Sequence, residues 1–311
     1  MTNYNPQVLV IGDLLMDYQY WVGKYPQSGG DEEILDFAKN SGGSAANTAV
    51  ALQLQNTRCA LVSRVGDDEI GRELTKNLDK LGIDLSCLQV YGQTGYTITM
   101  IEPNGERTMF SFRGCKDYEP QITETMQEIL KAAKVLYISG YMLQEPKQAD
   151  YVIKVARQAK QTGCITMLDP SPVIGEIPKD VLADILLYTD VLLPNKNELL
   201  TLSECDNLEA GIKNLLGSVQ CVVVKLGSQG SRFVAREDFS LADGSKLTSH
   251  MDCEVPADEI RAVDTTGAGD SFNAGFISAF LLGGTPKIWL KAGNEPAAKV
   301  ITQKAAISHY L

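Results

Sequence analysis

The sequence predicts an α/β protein, with a mostly parallel central sheet covered by helices on both faces and a small antiparallel sheet beside it. Three observations predict it. Short β-rich runs alternate with longer helical patterns through most of the 311 residues. Runs such as VLVI and CVVVK are continuously apolar, as strands buried on both faces must be. Two regions break the alternation with extended segments that have no helix between them.

Val8 to Ile11 ends at Gly12 as a buried strand. Tyr18 to Val22 and Ile34 to Lys39 flank the turn YPQSGGD and read as extended. Ala45 to Leu54 follows the Gly42-Gly43 break with helical spacing, and Cys59 to Val65 returns to strand. Tyr96 to Glu102 and Glu106 to Arg113 flank Pro103-Asn104-Gly105, a hairpin signal. These four extended segments are expected to make the small sheet, from insertions at about 14–40 and 94–114. Val135 to Ser139 then reads as strand, Lys147 to Thr162 as helix and Ile165 to Leu168 as strand. Val191 to Leu193 precedes a helical Glu198 to Leu202, and Cys221 to Lys225 is a further buried strand. Phe272, Phe276 and Phe280 recur every four residues, so a helix with a buried face starts near Gly267. No Pro-, Gly- or Ser-rich linker divides the chain, and residues 1–311 read as one domain.

Composition narrows the function. With 44% hydrophobic and 22% charged residues the chain is an ordinary globular sequence. A formal net charge of -11 argues against a nucleic-acid surface, so any polyanion must be held by local devices. Seven cysteines, at 59, 87, 115, 164, 205, 221 and 253, include no CxxC pair and suit reduced thiols in the cytoplasm. The opening MTNYNPQVLVIGDLL lacks a basic region and the long apolar run of a signal peptide. Nothing approaches the roughly 20 apolar residues of a membrane span. His250 and His309 are the only histidines, too few for a zinc site or a Ser-His-Asp triad. There is no GxxxxGK[ST], and the first strand runs into GDLLMD rather than GxGxxG.

Four stretches can carry chemistry. VDTTGAGDSFNAGFISAF, 263–280, sets Gly267, Ala268 and Gly269 at a helix start, where amides without internal partners face the positive end of the dipole. Asp270 falls in that first turn, either as a dipole partner or as an acid beside a bound anion. NSGGSAANTAVAL, 40–52, offers Gly42 and Gly43 for close backbone approach and Asn47 one turn into a helix. Asp13 and Asp17 flank the end of the first strand, where they suit vicinal hydroxyls or are simply solvated acids. LLPNKNELLTL, 192–202, places Asn195 and Glu198 three apart after a strand, to face one ligand or to cap a helix. VVVKLGSQGS, 222–231, has Gly227 and Gly230 in a turn between two strands, either a ligand-binding turn or no more than a hairpin connection.

Together these stretches resemble the PfkB or ribokinase family of carbohydrate kinases, over about residues 7–306. GGSAANTAVAL with SRVGDDEIGRELTKNLDKLGID resembles the family's N-terminal signature, and DTTGAGDSFNAGF its C-terminal signature position by position. PNKNE is similar to the NxxE motif and KLGSQG to the nucleotide-binding turn. The resemblance implies a ribokinase-like three-layer α/β/α domain with a small β-sheet lid. It implies transfer of the ATP γ-phosphoryl group to a sugar-like hydroxyl, with Asp270 as base and Gly267 to Gly269 as anion hole. On the acceptor side it implies Asp13, Asp17, Gly42, Gly43 and Asn47, with Arg113 on the lid. For ATP it implies Asn195, Glu198, Lys225, Gly227, Gly230 and Asn294, with Glu198 acting indirectly on Mg2+. Many members hold a monovalent cation such as K+, which maps onto Asp264 and Thr266, with carbonyls near Val300, Gln303 and Ala305. Ser44 stands where the GGKG form of the first motif has lysine, which removes a positive group suited to a phosphorylated sugar. A sugar phosphate or a nucleoside is the alternative acceptor, and a non-catalytic sugar or nucleotide sensor the alternative role. The expected partners are sugar and ATP, with neither nucleic acid nor membrane, and a homodimer formed through the lid.

Overall fold

The computed structural model describes residues 6–114, 118–260 and 264–302. From β1 (Val8–Ile11) the chain enters β2 (Leu15–Val22) and β3 (Ile34–Gly42), then α1 (Ser44–Leu54) and β4 (Cys59–Val62). The short β5 (Arg64–Val65) and β6 (Gln89–Val90) bracket α2 (Glu69–Lys80), and the hairpin β7 (Tyr96–Ile101) and β8 (Arg107–Phe112) follows. Helix and strand then alternate through α3 (Glu124–Ala132), β9 (Val135–Ser139), α4 (Pro146–Thr162) and β10 (Ile165–Asp169). The alternation continues with α5 (Lys179–Leu186), β11 (Val191–Leu192), α6 (Lys196–Ser203), α7 (Leu208–Leu215) and β12 (Cys221–Lys225). Two antiparallel strands, β13 (Ser231–Ala235) and β14 (Met251–Val255), precede the final helix pair α8 (Ala268–Leu282) and α9 (Pro286–Val300).

The main sheet has eight strands in the order β14-β13-β12-β11-β10-β9-β1-β4, parallel from β12 to β4. Strand alternation divides the core in two. Val8 and Val10 of β1 point to one face, against α1 and the aromatic stack of Phe272, Phe276, Phe280 and Trp289 from α8 and α9. Leu9 and Ile11 point to the other, against Val152, Val155 and Ala159 of α4 and Ile212 of α7. Both faces are apolar, so the strands read as unbroken hydrophobic runs, and the result is three layers, α/β/α. Polar side chains set where several helices begin. Asp68 accepts the Gly71 N–H to cap α2, Thr123 caps α3 and Asn207 caps α7.

The small sheet has the order β3-β2-β7-β8. Its outer pairings are antiparallel, but β2 and β7 run parallel, with Asp17 beside Thr97. The small antiparallel sheet expected from the sequence is present, with this one parallel pair inside it. The parallel pair arises because β2 and β7 are joined not by a turn but through α1, β4 and α2, which is the long crossover that parallel strands need. The sheet is two-faced. Asp17, Thr97 and Ser111 lie in register on a polar face. Tyr18, Phe37, Tyr96 and Phe112 stack on the other, with Tyr96 and Phe112 centroids 5.3 Å apart. The six cysteines among the described residues are unpaired, and Cys115 lies outside them. Among the described residues no helix is long and apolar enough to cross a membrane.

Candidate active site

The parallel strands release their chain ends at one edge of the sheet. Strand order reverses there between β1 and β9, which is where open α/β sheets gather ligands. A cleft of about 1200 Å³ opens at this edge, roofed by the polar face of the small sheet. Each of the four sequence stretches contributes lining residues to it: Asp13, Asp17, Gly43 and Asn47; Asn195 and Glu198; Lys225, Gly227 and Gly230; and Thr266 through Asp270.

Asp270 sits in the first turn of α8, and two side chains from the start of α1 hold its carboxylate. Ser44 Oγ donates to Oδ1 at 2.7 Å and Asn47 Nδ2 donates to Oδ2 at 2.9 Å. Burial raises the Asp270 pKa from 3.8 to about 6, against the lowering pull of these two donors and Lys225, with Asp169 adding to the rise. Gly267 precedes the helix at φ 75, a left-handed conformation that glycine adopts without strain. The Ala268 N–H reaches the Thr265 carbonyl at 3.3 Å, a long bond that an incoming anion can displace.

At the acceptor end two glycines let separate segments meet. A Cβ on Gly42 would lie 2.1 Å from Asp17 Oδ2, and one on Gly43, at φ +104, 2.3 Å from the Asp13 carbonyl oxygen. No other residue fits the second position. Burial pushes the Asp17 carboxyl up to about 7, opposed by the Thr97 hydroxyl and reinforced by the charge of Asp270. Burial also raises Asp13, against the pull of Arg113. Arg113 Nη1 donates to Asp13 Oδ2 at 2.7 Å while its guanidinium lies 4.5 Å from the Tyr141 ring centroid.

Asn195 and Glu198 form a complete capping box at the start of α6. The Asn195 side chain accepts from the Glu198 N–H at 2.9 Å, and the Glu198 carboxylate accepts from the Asn195 N–H and Nδ2, both at 2.7 Å. The capping alternative is therefore realised, and the capped pair also lines the cleft. Burial raises the Glu198 pKa, with Lys225 opposing and Asp169 adding. Lys225 Nζ donates to Asp169 Oδ2 at 2.8 Å, and a Cβ on Gly269 would come within 3.6 Å of it. Burial alone would lower the Lys225 pKa, but Asp169, Glu198 and Asp270 outweigh it and hold the ammonium charged.

Asp169 is the site residue that the sequence reading missed. It ends β10 in LDPSP, an acid at a parallel-strand terminus, which is the same signal that marked Asp13. The Ser171 N–H, from a residue strained to φ 62, donates to Asp169 Oδ1 at 2.9 Å. Asn273, wholly buried one turn beyond Asp270, donates to Asp169 Oδ2 at 2.6 Å and to the Tyr137 hydroxyl at 3.0 Å. The Thr48 hydroxyl of α1 donates to the same Tyr137 oxygen at 3.3 Å. A buried polar chain thus runs from α1 through Tyr137 and α8 to Asp169 and Lys225.

Two of the expected site positions have protein partners of their own. The Asn294 side chain lines the cleft but is held from behind. Its oxygen accepts from Ser231 Oγ at 2.9 Å and its nitrogen donates to the Val255 and Pro256 carbonyls at 3.3 Å, which pins the cleft wall. Asp264 and Thr266, assigned by resemblance to a monovalent cation, are engaged by an arginine. Arg107 Nη2 pairs with Asp264 Oδ1 at 2.6 Å and Arg107 Nη1 donates to Thr266 Oγ1, while the Thr266 N–H donates to Asp264 Oδ1 at 2.7 Å. Ile301, which follows α9, gives its carbonyl to the Asp264 N–H at 3.2 Å, and Val300 is buried beside it. Gln303 and Ala305 lie outside the described residues.

A buried carboxylate, a glycine-rich helix start and a lysine beside it make an arrangement suited to phosphoryl transfer. The chain belongs to the pfkB family of carbohydrate kinases, whose sequence profile matches residues 5–310. It is 30% identical over 282 residues to a probable fructokinase-2 from Arabidopsis thaliana, covering 85% of this chain and 78% of that one. It is 29% identical over 308 residues to an ATP-dependent ribose-1-phosphate kinase from Halopiger xanaduensis, covering 97% and 94%. Among solved structures, the ribokinase of Arabidopsis thaliana complexed with ribose and ATP superposes with a TM-score of 0.81 at 24% identity, covering 97% of this chain and 94% of that one. The protein is a sugar or nucleoside kinase of this family, a phosphotransferase acting on an alcohol group.

Proposed function

We propose that this kinase transfers the ATP γ-phosphoryl group to a hydroxyl of a neutral sugar or close relative, with Asp270 as the base. The observation that carries this reading is the placement of Asp270: a buried carboxylate raised to about 6, in the helix turn that also supplies the Gly267–Gly269 amides. As the acceptor oxygen bonds to the γ-phosphorus, the bond from phosphorus to the β,γ-bridging oxygen breaks, ADP leaves, and the hydroxyl proton passes to Asp270. The amides and the α8 dipole stabilise the migrating group without bringing a net charge that must be desolvated. Lys225 stands beside the same helix start, its ammonium 3.6 Å from where a Cβ on Gly269 would lie, and would meet the phosphates there.

Magnesium fits this site only as part of Mg-ATP. Among the described residues no cluster of three or more His, Cys, Asp or Glu could hold a metal ion. Asp169 and Glu198 are the carboxylates that would face it, with ATP supplying the other ligands and the metal neutralising charge between the phosphates.

Charge at the acceptor end favours a neutral polyol over a sugar phosphate. Arg113 is the cation there among the described lining residues, and Asp13 already neutralises it. The small sheet would serve as a lid that keeps water from competing as acceptor. Its other face leaves Phe37 and Phe110 about half exposed, and β3 is an open edge, so we assign it the dimer contact. The test is ADP release from Mg-ATP across neutral sugars, sugar phosphates and nucleosides. Turnover confined to neutral sugars supports the reading. Preference for a phosphorylated sugar or a nucleoside moves the acceptor class, and binding without ADP release from any pair identifies a sensor. Monomeric mass in solution at micromolar concentration would remove the dimer.

A further inference from the structure

The strand β8 opens with Arg107 and is followed at once by Arg113, which lines the cleft. Arg107, Met109, Ser111 and Arg113 alternate onto one face, and six residues of strand span roughly 20 Å. Arg113 pairs with Asp13 at the acceptor end, and Arg107 pairs with Asp264 in the loop that leads into Gly267–Gly269. The Asp264 side chain is only 7% exposed, and a carboxylate so desolvated needs a cation. The guanidinium supplies one and matches the loop by shape as well. One nitrogen engages Asp264 Oδ1 and the other Thr266 Oγ1, the two side chains that the family resemblance gives to a monovalent metal. A metal at Asp264 Oδ1 would sit beside a guanidinium nitrogen 2.6 Å from the same oxygen, where like charges repel.

We propose that Arg107 is the built-in cation of the anion-hole loop, so that this kinase needs no monovalent metal and its loop is ordered by the lid strand instead. Arg107 is then a positioning residue. It fixes the turn that aims the Gly267–Gly269 amides and touches neither substrate nor ATP. The inference rests on the kinase reading of the site, and it predicts that the wild type lacks the salt activation of a metal-activated relative.

The experiment compares wild type, Arg107→Met and Arg107→Lys in about 0.1 M KCl and in choline chloride at the same ionic strength. Two quantities are read, turnover and melting temperature with a bound non-hydrolysable ATP analogue. The expected wild type is indifferent to the salt in both. Arg107→Met should lose kcat on the order of 10- to 100-fold in choline with a much smaller change in acceptor KM. KCl should recover much of that kcat and raise the melting temperature of the variant, and Arg107→Lys should stand between the two proteins. Strong activation or stabilisation of the wild type by KCl overturns the proposal, as does an Arg107→Met protein that matches wild type in choline. The melting readout does not need turnover, so a wild type without any kinase activity sinks the kinase reading while leaving this inference decidable.

Discussion

Asn47, one turn into α1, donates a 2.9 Å hydrogen bond to Asp270 at the start of α8, across 223 residues of sequence. Helix α1 therefore aims the carboxylate that we propose as base. Asp270→Asn keeps the shape and removes the proton acceptor. Turnover should fall by about 10²–10⁴-fold while ATP binding changes little. Near wild-type turnover in a steady-state assay, with ATP affinity read by titration, would return the base role to another group.

The same substitution should stabilise the fold at alkaline pH. The folded pKa of Asp270, about 6, lies above its ordinary 3.8, so the native state binds the proton more tightly than the unfolded chain. The resulting stability is present at low pH and lost as pH rises from about 4 through 6. Asp270→Asn escapes that loss, and at pH 8 it should exceed wild type by about 1–3 kcal/mol, with the gap closing at pH 4. Denaturant midpoints at the two pH values measure it; a gap that does not vary with pH would contradict the assignment.

Ser44 and Asn47 both donate to the ionised form of Asp270 and so lower its pKa. Removing either donor should move the acidic limb of the kcat/KM profile upward by about one pH unit. Both residues line the cleft, and Ser44→Ala is the cleaner test because it removes a single hydroxyl rather than a whole amide. An unmoved limb in Ser44→Ala would mean that the limb reports some other group, Asp17 at about 7 being the first candidate.

Away from the chemistry, α8 and α9 approach so closely that a Cβ on Gly275 would lie 2.0 Å from the Ala292 carbonyl oxygen and 2.8 Å from Pro296 Cγ. Gly275→Ala must push α9 outward. The expected cost is about 1–3 kcal/mol in a denaturant melt. Because α9 carries Asn294, Ala297 and Ala298 to the cleft wall, the KM for ATP should rise more than that for the acceptor.

Much of this was legible in the chain. Apolar runs such as Cys221–Lys225 announced strands buried on both faces, and the phenylalanine spacing in 272–280 announced α8. Asn195 and Glu198 announced their cap, because capping is a local interaction with fixed spacing. What stayed hidden was non-local. The parallel pairing of β2 with β7 depends on a crossover that no turn residue signals. Tyr137 and Asn273 are polar residues inside otherwise apolar patterns, and their partners lie on other elements. Arg107 looks like any exposed strand residue until the loop bearing Asp264 folds beneath it.

Asn273 lies one helical turn past Asp270, so a single short piece of α8 holds both the acid at the acceptor and the amide that braces the Asp169–Lys225 pair. On the proposed reading, proton removal and nucleotide seating are therefore mounted on one helix. A rotation of α8 would misalign both at once, and no shift of that helix can retune one while sparing the other. Divergence in acceptor choice is then left to parts outside α8: the polar face of the small sheet and the loop around Asp13.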